Sequence, residues 1–139
     1  MALLYTTKKV SDRQYRLVAN LSFTAKDIGT DGSVSAVGAY EAIELPPNAV
    51  VTGGALIVDT ISDATALSCA VGDGGSTARY LVATTLKTAA RSPLTATGYK
   101  YTAKDTVDLL IAGSGFTGVG AFRVEIEYYI DGRGIENQG

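Results

Sequence analysis

The run Phe122-Arg123-Val124-Glu125-Ile126-Glu127-Tyr128-Tyr129-Ile130 places Phe122, Val124, Ile126, Tyr128 and Ile130 on one side and Arg123, Glu125 and Glu127 on the other. A period of two belongs to a half-buried β-strand, because successive side chains of a strand point to opposite faces. The same alternation runs through Tyr15, Leu17, Ala19, Leu21 and Phe23. Seven segments read as strands: about 14–23, 34–44, 48–60, 66–72, 98–103, 106–112 and 121–131. An eighth is expected around Leu3 to Lys9. Between them lie turn signals: Gly29-Thr30-Asp31-Gly32-Ser33, Pro46-Pro47-Asn48, Gly72-Asp73-Gly74-Gly75-Ser76 and the Gly113–Gly120 loop. Glycine permits positive φ, and proline fixes φ and removes a donor. Gly53-Gly54 inside a strand predicts a bulge or a corner.

Only residues 77–91 carry a helical spacing, with Val82, Leu86, Ala89 and Ala90 on one face and Pro93 as a stop. Thr84-Thr85 weakens that helix, since β-branched side chains lose rotamer freedom there. Many short strands with regular turns predict an all-β fold, an antiparallel β-sandwich of jelly-roll type with one short helical excursion near 77–91. One domain is expected over residues 1–139, with an N-terminal arm (1–13) and a C-terminal tail (131–139), and at that length about two thirds of the unfolded surface can be buried.

This frame decides how local motifs are read. Gly113-Ser114-Gly115-Phe116-Thr117-Gly118 matches G-x-G-x-x-G after a plausible strand. The fingerprint works only when a helix N-terminus follows to meet the pyrophosphate. Here a strand pattern follows, so the glycines are read as a β-β connection.

Composition narrows the function classes. With 46% hydrophobic and 19% charged residues the chain is globular rather than disordered. A net charge of −2 gives no reason to expect direct nucleic-acid binding. The charge is uneven, however: residues 1–16 hold Lys8, Lys9, Arg13 and Arg16 against Asp12, while 123–139 are acidic on balance. Opposite ends suit subunits or partners meeting end to end, although two solvated termini are the plainer reading. Met1-Ala2-Leu3-Leu4-Tyr5 is too short for a secretory signal, and no apolar run is long enough to span a bilayer, so no membrane partner is expected and synthesis in a cytoplasm is.

Chemistry is sparse. A single cysteine excludes an intrachain disulfide, and Cys69, on a face with Leu67 and Val71, reads as a small core residue. The absence of histidine removes Ser-His-Asp and Cys-His arrangements and His-based zinc sites. Glu125 and Glu127, side by side on a strand, could seat a glycosidase-type carboxylate pair, but an exposed polar face is the commoner explanation. Asp27-Ile28-Gly29-Thr30-Asp31-Gly32 begins like a calcium loop and fails at its third position and at Gly38, where the bidentate acid should stand. Gly72–Ser76 lacks the lysine of a phosphate-binding loop. Tyr99 and Tyr101 would share a strand face as a stacking platform, yet only Lys100 supplies charge there, and packing is the simpler role. No cofactor and no metal are expected, and the balance favours an interaction or structural protein over an enzyme.

Four stretches carry a resemblance. Leu45-Pro46-Pro47-Asn48-Ala49-Val50-Val51-Thr52-Gly53-Gly54, then Val71-Gly72-Asp73, then Ala78-Arg79-Tyr80-Leu81 with Leu86-Lys87, and finally Val124-Glu125-Ile126-Glu127-Tyr128 with Asp131-Gly132-Arg133, occur in an order that resembles the cement or decoration proteins of tailed bacteriophages. These sit on the outside of a shell built from an HK97-type major capsid protein, and the chain resembles in particular the jelly-roll kind of short-tailed Bordetella phages. The resemblance spans about residues 40–133. It implies a virion location on the capsid exterior, no enzymatic activity, binding to the major capsid protein across capsomer boundaries, and self-association, with a homodimer expected. It assigns no contact residues. The charge distribution and the termini put the expected capsid or subunit contacts at Tyr5, Lys8, Lys9, Arg13, Arg16, Tyr129 and Arg133. A carbohydrate- or receptor-binding β-sandwich of a phage tail or spike is the alternative.

Overall fold

The structure is a computed structural model and describes residues 15–28, 38–115 and 118–132. Its elements are β1 (Arg16–Thr24), α1 (Ala25–Ile28), β2 (Gly38–Leu45), β3 (Ala49–Thr60), β4 (Ala66–Asp73), β5 (Ser76–Thr85), β6 (Arg91–Pro93), β7 (Asp105–Ser114) and β8 (Ala121–Ile130). Two four-stranded sheets form, in the orders β1-β8-β3-β6 and β2-β7-β4-β5. First pairs with last throughout: β1 with β8, β2 with β7, β3 with β6 and β4 with β5, all antiparallel. That nested pairing is one long antiparallel ribbon rolled into two layers, the jelly-roll form of the sandwich.

Alternation drives the layering. Phe122, Val124 and Ile126 of β8 are buried between the sheets, against Leu56 and Val58 of β3 and, from the opposite layer, Leu67, Cys69, Val71, Leu109 and Ile111. At about 25 cal/mol per Å² of apolar surface, this shared core is the main term that offsets the entropy of ordering the chain. Cys69 is fully buried, and burial pushes its thiol up to about 12. Between Val51 and Gly53 the β3–β8 register slips, where the Gly53-Gly54 pair predicts a bulge. Gly54 has φ +134°, and a Cβ there would lie 2.0 Å from the Glu125 carbonyl oxygen, so no other residue fits without moving β8.

Two expectations are corrected. Residues 77–91 hold no helix: they form β5, a loop and the start of β6. The Gly74-Gly75 turn folds β5 directly onto β4, and backbone pairing with β4 overrides a weak helical spacing already burdened by Val82, Thr84 and Thr85. Val82, expected on the apolar helix face, is 69% exposed. Residues 98–103 are not a strand, and pair only through an isolated bridge between Val50 and Lys100. Gly98 at φ +75° breaks the extended run. The strand expected around Leu3 to Lys9 lies outside the described residues.

α1 is a single turn that the sequence pattern does not predict. Thr24 stands at its N-cap position and donates from both its amide (2.7 Å) and its hydroxyl (3.0 Å) to Asp27 Oδ2, the reciprocal half of a capping box. Asp27, the first residue of the calcium-like stretch, is thereby engaged as a capping acceptor, and residues 29–37 are outside the described set. After Gly113-Ser114-Gly115 the chain enters β8 rather than a helix, and Gly115 (φ +68°) and Gly118 (φ +87°) supply the left-handed turns of that β-β connection.

Candidate functional site

The β1–β8 register sets Arg16 opposite Tyr129. The first residue of β1 therefore stands beside the end of β8, so these two strand ends lie at the same end of the same sheet. Arg16 and Val18 are exposed on the outer face, Val18 at 65%, with Glu127 opposite Val18 and Tyr129 half-buried beside them. Of the seven contact residues expected from sequence, Arg16 and Tyr129 come together here. Tyr5, Lys8, Lys9, Arg13 and Arg133 lie outside the described residues. Val18, at 65% exposure, joins this surface without having been singled out, because one exposed apolar residue on a polar face carries no pattern of its own.

Further along the same face, Arg123 makes a two-pronged pair with Asp59 (Nε to Oδ2 2.7 Å, Nη2 to Oδ1 3.1 Å) and reaches Glu125 at 3.3 Å. The pairing with Asp59 holds the guanidinium proton more tightly than usual. Glu125 is thus tied to a cation on an open sheet face, and Glu127 lies over Gly53. That is the polar face of the strand, the simpler of the two readings of this carboxylate pair.

The densest polar cluster is at the β4–β5 turn. Asp73 is 2% exposed, and its Oδ1 accepts from the amides of Gly75 and Ser76, each at 2.9 Å. Its Oδ2 accepts from Arg79 Nε at 2.5 Å and from the Tyr101 hydroxyl at 2.7 Å, and Tyr80 sits 2.6 Å from that hydroxyl. Since Tyr101 gives its one proton to Asp73, Tyr80 donates to Tyr101. Burial alone would raise the Asp73 carboxyl, but the bonds from Arg79, Tyr101 and Ser76 outweigh it and hold the group below the ordinary carboxylate range. Burial, with the Tyr80 and Asp73 bonds, pushes the Tyr101 hydroxyl strongly upward. Arg79 also lies 3.7 Å over the Tyr99 ring, and Tyr99 meets Tyr101 edge-on at 5.0 Å.

The two tyrosines therefore form no flat platform: Tyr101 is buried and Tyr99 is 43% exposed. Both oxygens of Asp73 are matched by donors within the chain, which makes the cluster a structural lock between the β4–β5 hairpin and the 94–101 segment. The Asp-Gly-Gly turn is visible in the sequence, whereas Tyr101, 28 residues away, is not.

No family model matches the chain, and no curated protein matches it. Solved structures do. The chain is similar to one in the capsid asymmetric unit of cyanophage Pam1, at 25% identity over 94% of both chains with a TM-score of 0.61. It is also similar in fold to a chain of the acid-stable capsid of Helicobacter pylori bacteriophage KHP30 (18% identity, 84% of this chain and 88% of that one, TM-score 0.60). A chain of the capsid of Ralstonia phage GP4 matches at 19% identity over 85% of both, with a TM-score of 0.61.

Proposed function

We propose that this chain is a structural virion protein that binds the outer surface of a phage capsid and stabilises contacts between major capsid protein subunits, as cement proteins do. The observation that carries the proposal is the likeness over 94% of both chains to a chain of the Pam1 capsid, which supports a capsid-related, structural role. The physics of the chain suits that role. A seam binder needs a rigid body and attachment points that can span a boundary, and no reaction chemistry. The double-layered core supplies the body. The surface around Arg16 and Tyr129, where the start of β1 meets the end of β8, supplies the place of attachment.

In this reading Lys8, Lys9, Arg13 and Arg16 meet an acidic or polar seam of the shell, and Arg133 adds a contact from the C-terminal tail. Exposed ion pairs are worth about 0–1 kcal/mol each, so tight attachment has to come from several copies acting together. Synthesis in the host cytoplasm and addition to the capsid exterior complete the proposal. The direct test mixes the purified full-length chain with shells assembled from the major capsid protein of the same phage. Saturable co-sedimentation and a higher shell melting temperature are expected. Shells that bind none of the protein, or that bind it without gaining stability, would overturn the proposal.

A further inference from the structure

Pro46-Pro47-Asn48-Ala49 joins β2 to β3 in a tight turn, closed by the Ala49 amide on the Pro46 carbonyl (3.3 Å). Proline at its second position and a φ of +68° on Asn48 at its third are the type II arrangement, and the two prolines stiffen it in advance. Among the described residues Asn48 alone has a positive φ without being glycine. The bond that closes the turn uses neither backbone group of Asn48. Its amide donates to the Tyr101 carbonyl (2.6 Å), and its carbonyl accepts from the Asp131 amide (2.9 Å). A stiff turn thus serves as a peg for two other parts of the chain.

Tyr101 is the junction. Its amide donates to the Ala49 carbonyl (3.0 Å), so its backbone is held by β3 from both sides. Its hydroxyl donates to Asp73, which also accepts from Arg79 and from the Gly75 and Ser76 amides. The preceding residue, Lys100, bridges to Val50 and reaches Asp131 Oδ2 with its Nζ at 3.1 Å. Asp131 directly follows the last residue of β8. Asn48, the Lys100-Tyr101 pair and Asp131 therefore close a triangle of bonds, anchored to the β4–β5 hairpin through the Tyr101 hydroxyl. Tyr101 is buried, and a ring packed at core density has discrete seats rather than a continuum of them.

We propose that these bonds form one conformational device: Tyr101 seated on Asp73 holds Asn48 and Asp131 together, so the path of the chain out of β8 depends on the β4–β5 turn. Opening at either end loosens the other. A partner that grips Asp131 or Gly132 is then felt at Gly75 and Ser76, and thermodynamic linkage makes the reverse equally true. The device belongs to the free protein and does not depend on capsid attachment.

Amide hydrogen exchange, followed by NMR on the full-length chain, tests it. Tyr101→Phe removes the hydroxyl and keeps the ring. The Asn48, Tyr101 and Asp131 amides should then exchange together, about tenfold faster than in wild type, as the loss of one buried hydrogen bond implies. The Ser62 and Leu86 amides, bonded to the Leu86 and Leu67 carbonyls at the other end of the sandwich, should keep their wild-type rates. Unchanged exchange at Asn48 and Asp131 would make the bonds independent and overturn the proposal. An equal rise at every amide, Ser62 and Leu86 included, would reduce the effect to global stability and overturn it too. Asp131→Ala approaches from the other end and alters an exposed side chain, so the fold is kept. Because it removes only an exposed ion pair, the Gly75 and Ser76 amides should exchange about two- to fivefold faster. Wild-type rates at both in this variant would reject the coupling.

Discussion

Asp73 shows how one buried carboxylate can fix a loop far from it in sequence. Its charge is matched by Arg79 and by hydroxyl and amide donors, so Asp73→Asn should cost about 1–3 kcal/mol by leaving Arg79 and Tyr101 without their acceptor. Chemical denaturation of the two proteins at neutral pH measures this. The carboxyl is held below its unfolded value of about 3.9, so its contribution is complete above that pH and is lost as pH falls through the lowered folded value. Wild type should therefore lose stability on acidification more steeply than Asp73→Asn. Parallel pH–stability curves would assign the network no electrostatic role. Cys69 is the opposite case, a thiol without a charge to serve. Buried and raised to about 12, it should resist bulky thiol reagents in the native protein and react once unfolded. Cys69→Ser should cost about 1–3 kcal/mol, because the site offers a hydroxyl few partners.

At the level of elements, strands with a clean alternation or an apolar run were legible and the others were not. β1, β2, β3, β4, β7 and β8 all overlap segments that alternation or apolar runs identify, and the Gly53-Gly54 bulge follows from the local sequence alone. β5 was missed because an edge strand packs weakly, and two consecutive exposed residues, Val82 and Ala83, break any clean period. Leu86, fully buried, supplied the false helical spacing from the loop beyond the strand. The segment around Tyr101 looked like a strand because its tyrosines alternate, whereas their real constraint is Asp73, a tertiary partner. The reassignment of β5 makes its own prediction. Val82 stands 69% exposed, so Val82→Lys should change stability by no more than about 0.5 kcal/mol in denaturant titration. Had the residue sat on the buried face of a helix, the same change would bury an unpaired ammonium and cost several times as much. Gly54→Ala tests the bulge, with positive φ alone costing about 1–3 kcal/mol and the contact with the Glu125 carbonyl adding to it.

For the whole molecule, the nested pairing of first strand with last brings the start of β1 and the end of β8 side by side at one end of the sheet, a consequence of topology that no local pattern reveals. It sets Arg16, the last cation of the basic stretch 1–16, opposite Tyr129 on a chain of net charge −2, so an attachment surface there would be felt by a partner mainly through charge. Screening becomes strong beyond about 10 Å at 0.1 M salt. If Lys8, Lys9, Arg13 and Arg16 meet the shell, occupancy on purified capsids should fall as salt rises from about 0.05 to 0.5 M, while the free protein's circular dichroism stays unchanged. Replacing Lys8 and Lys9 with glutamine should lower occupancy at low salt and flatten the salt dependence, because the contacts that salt would screen are already gone. Capsid binding that is indifferent both to salt and to these substitutions would shift the attachment to the sandwich face around Val18 and Tyr129, where apolar area rather than charge would have to hold the protein.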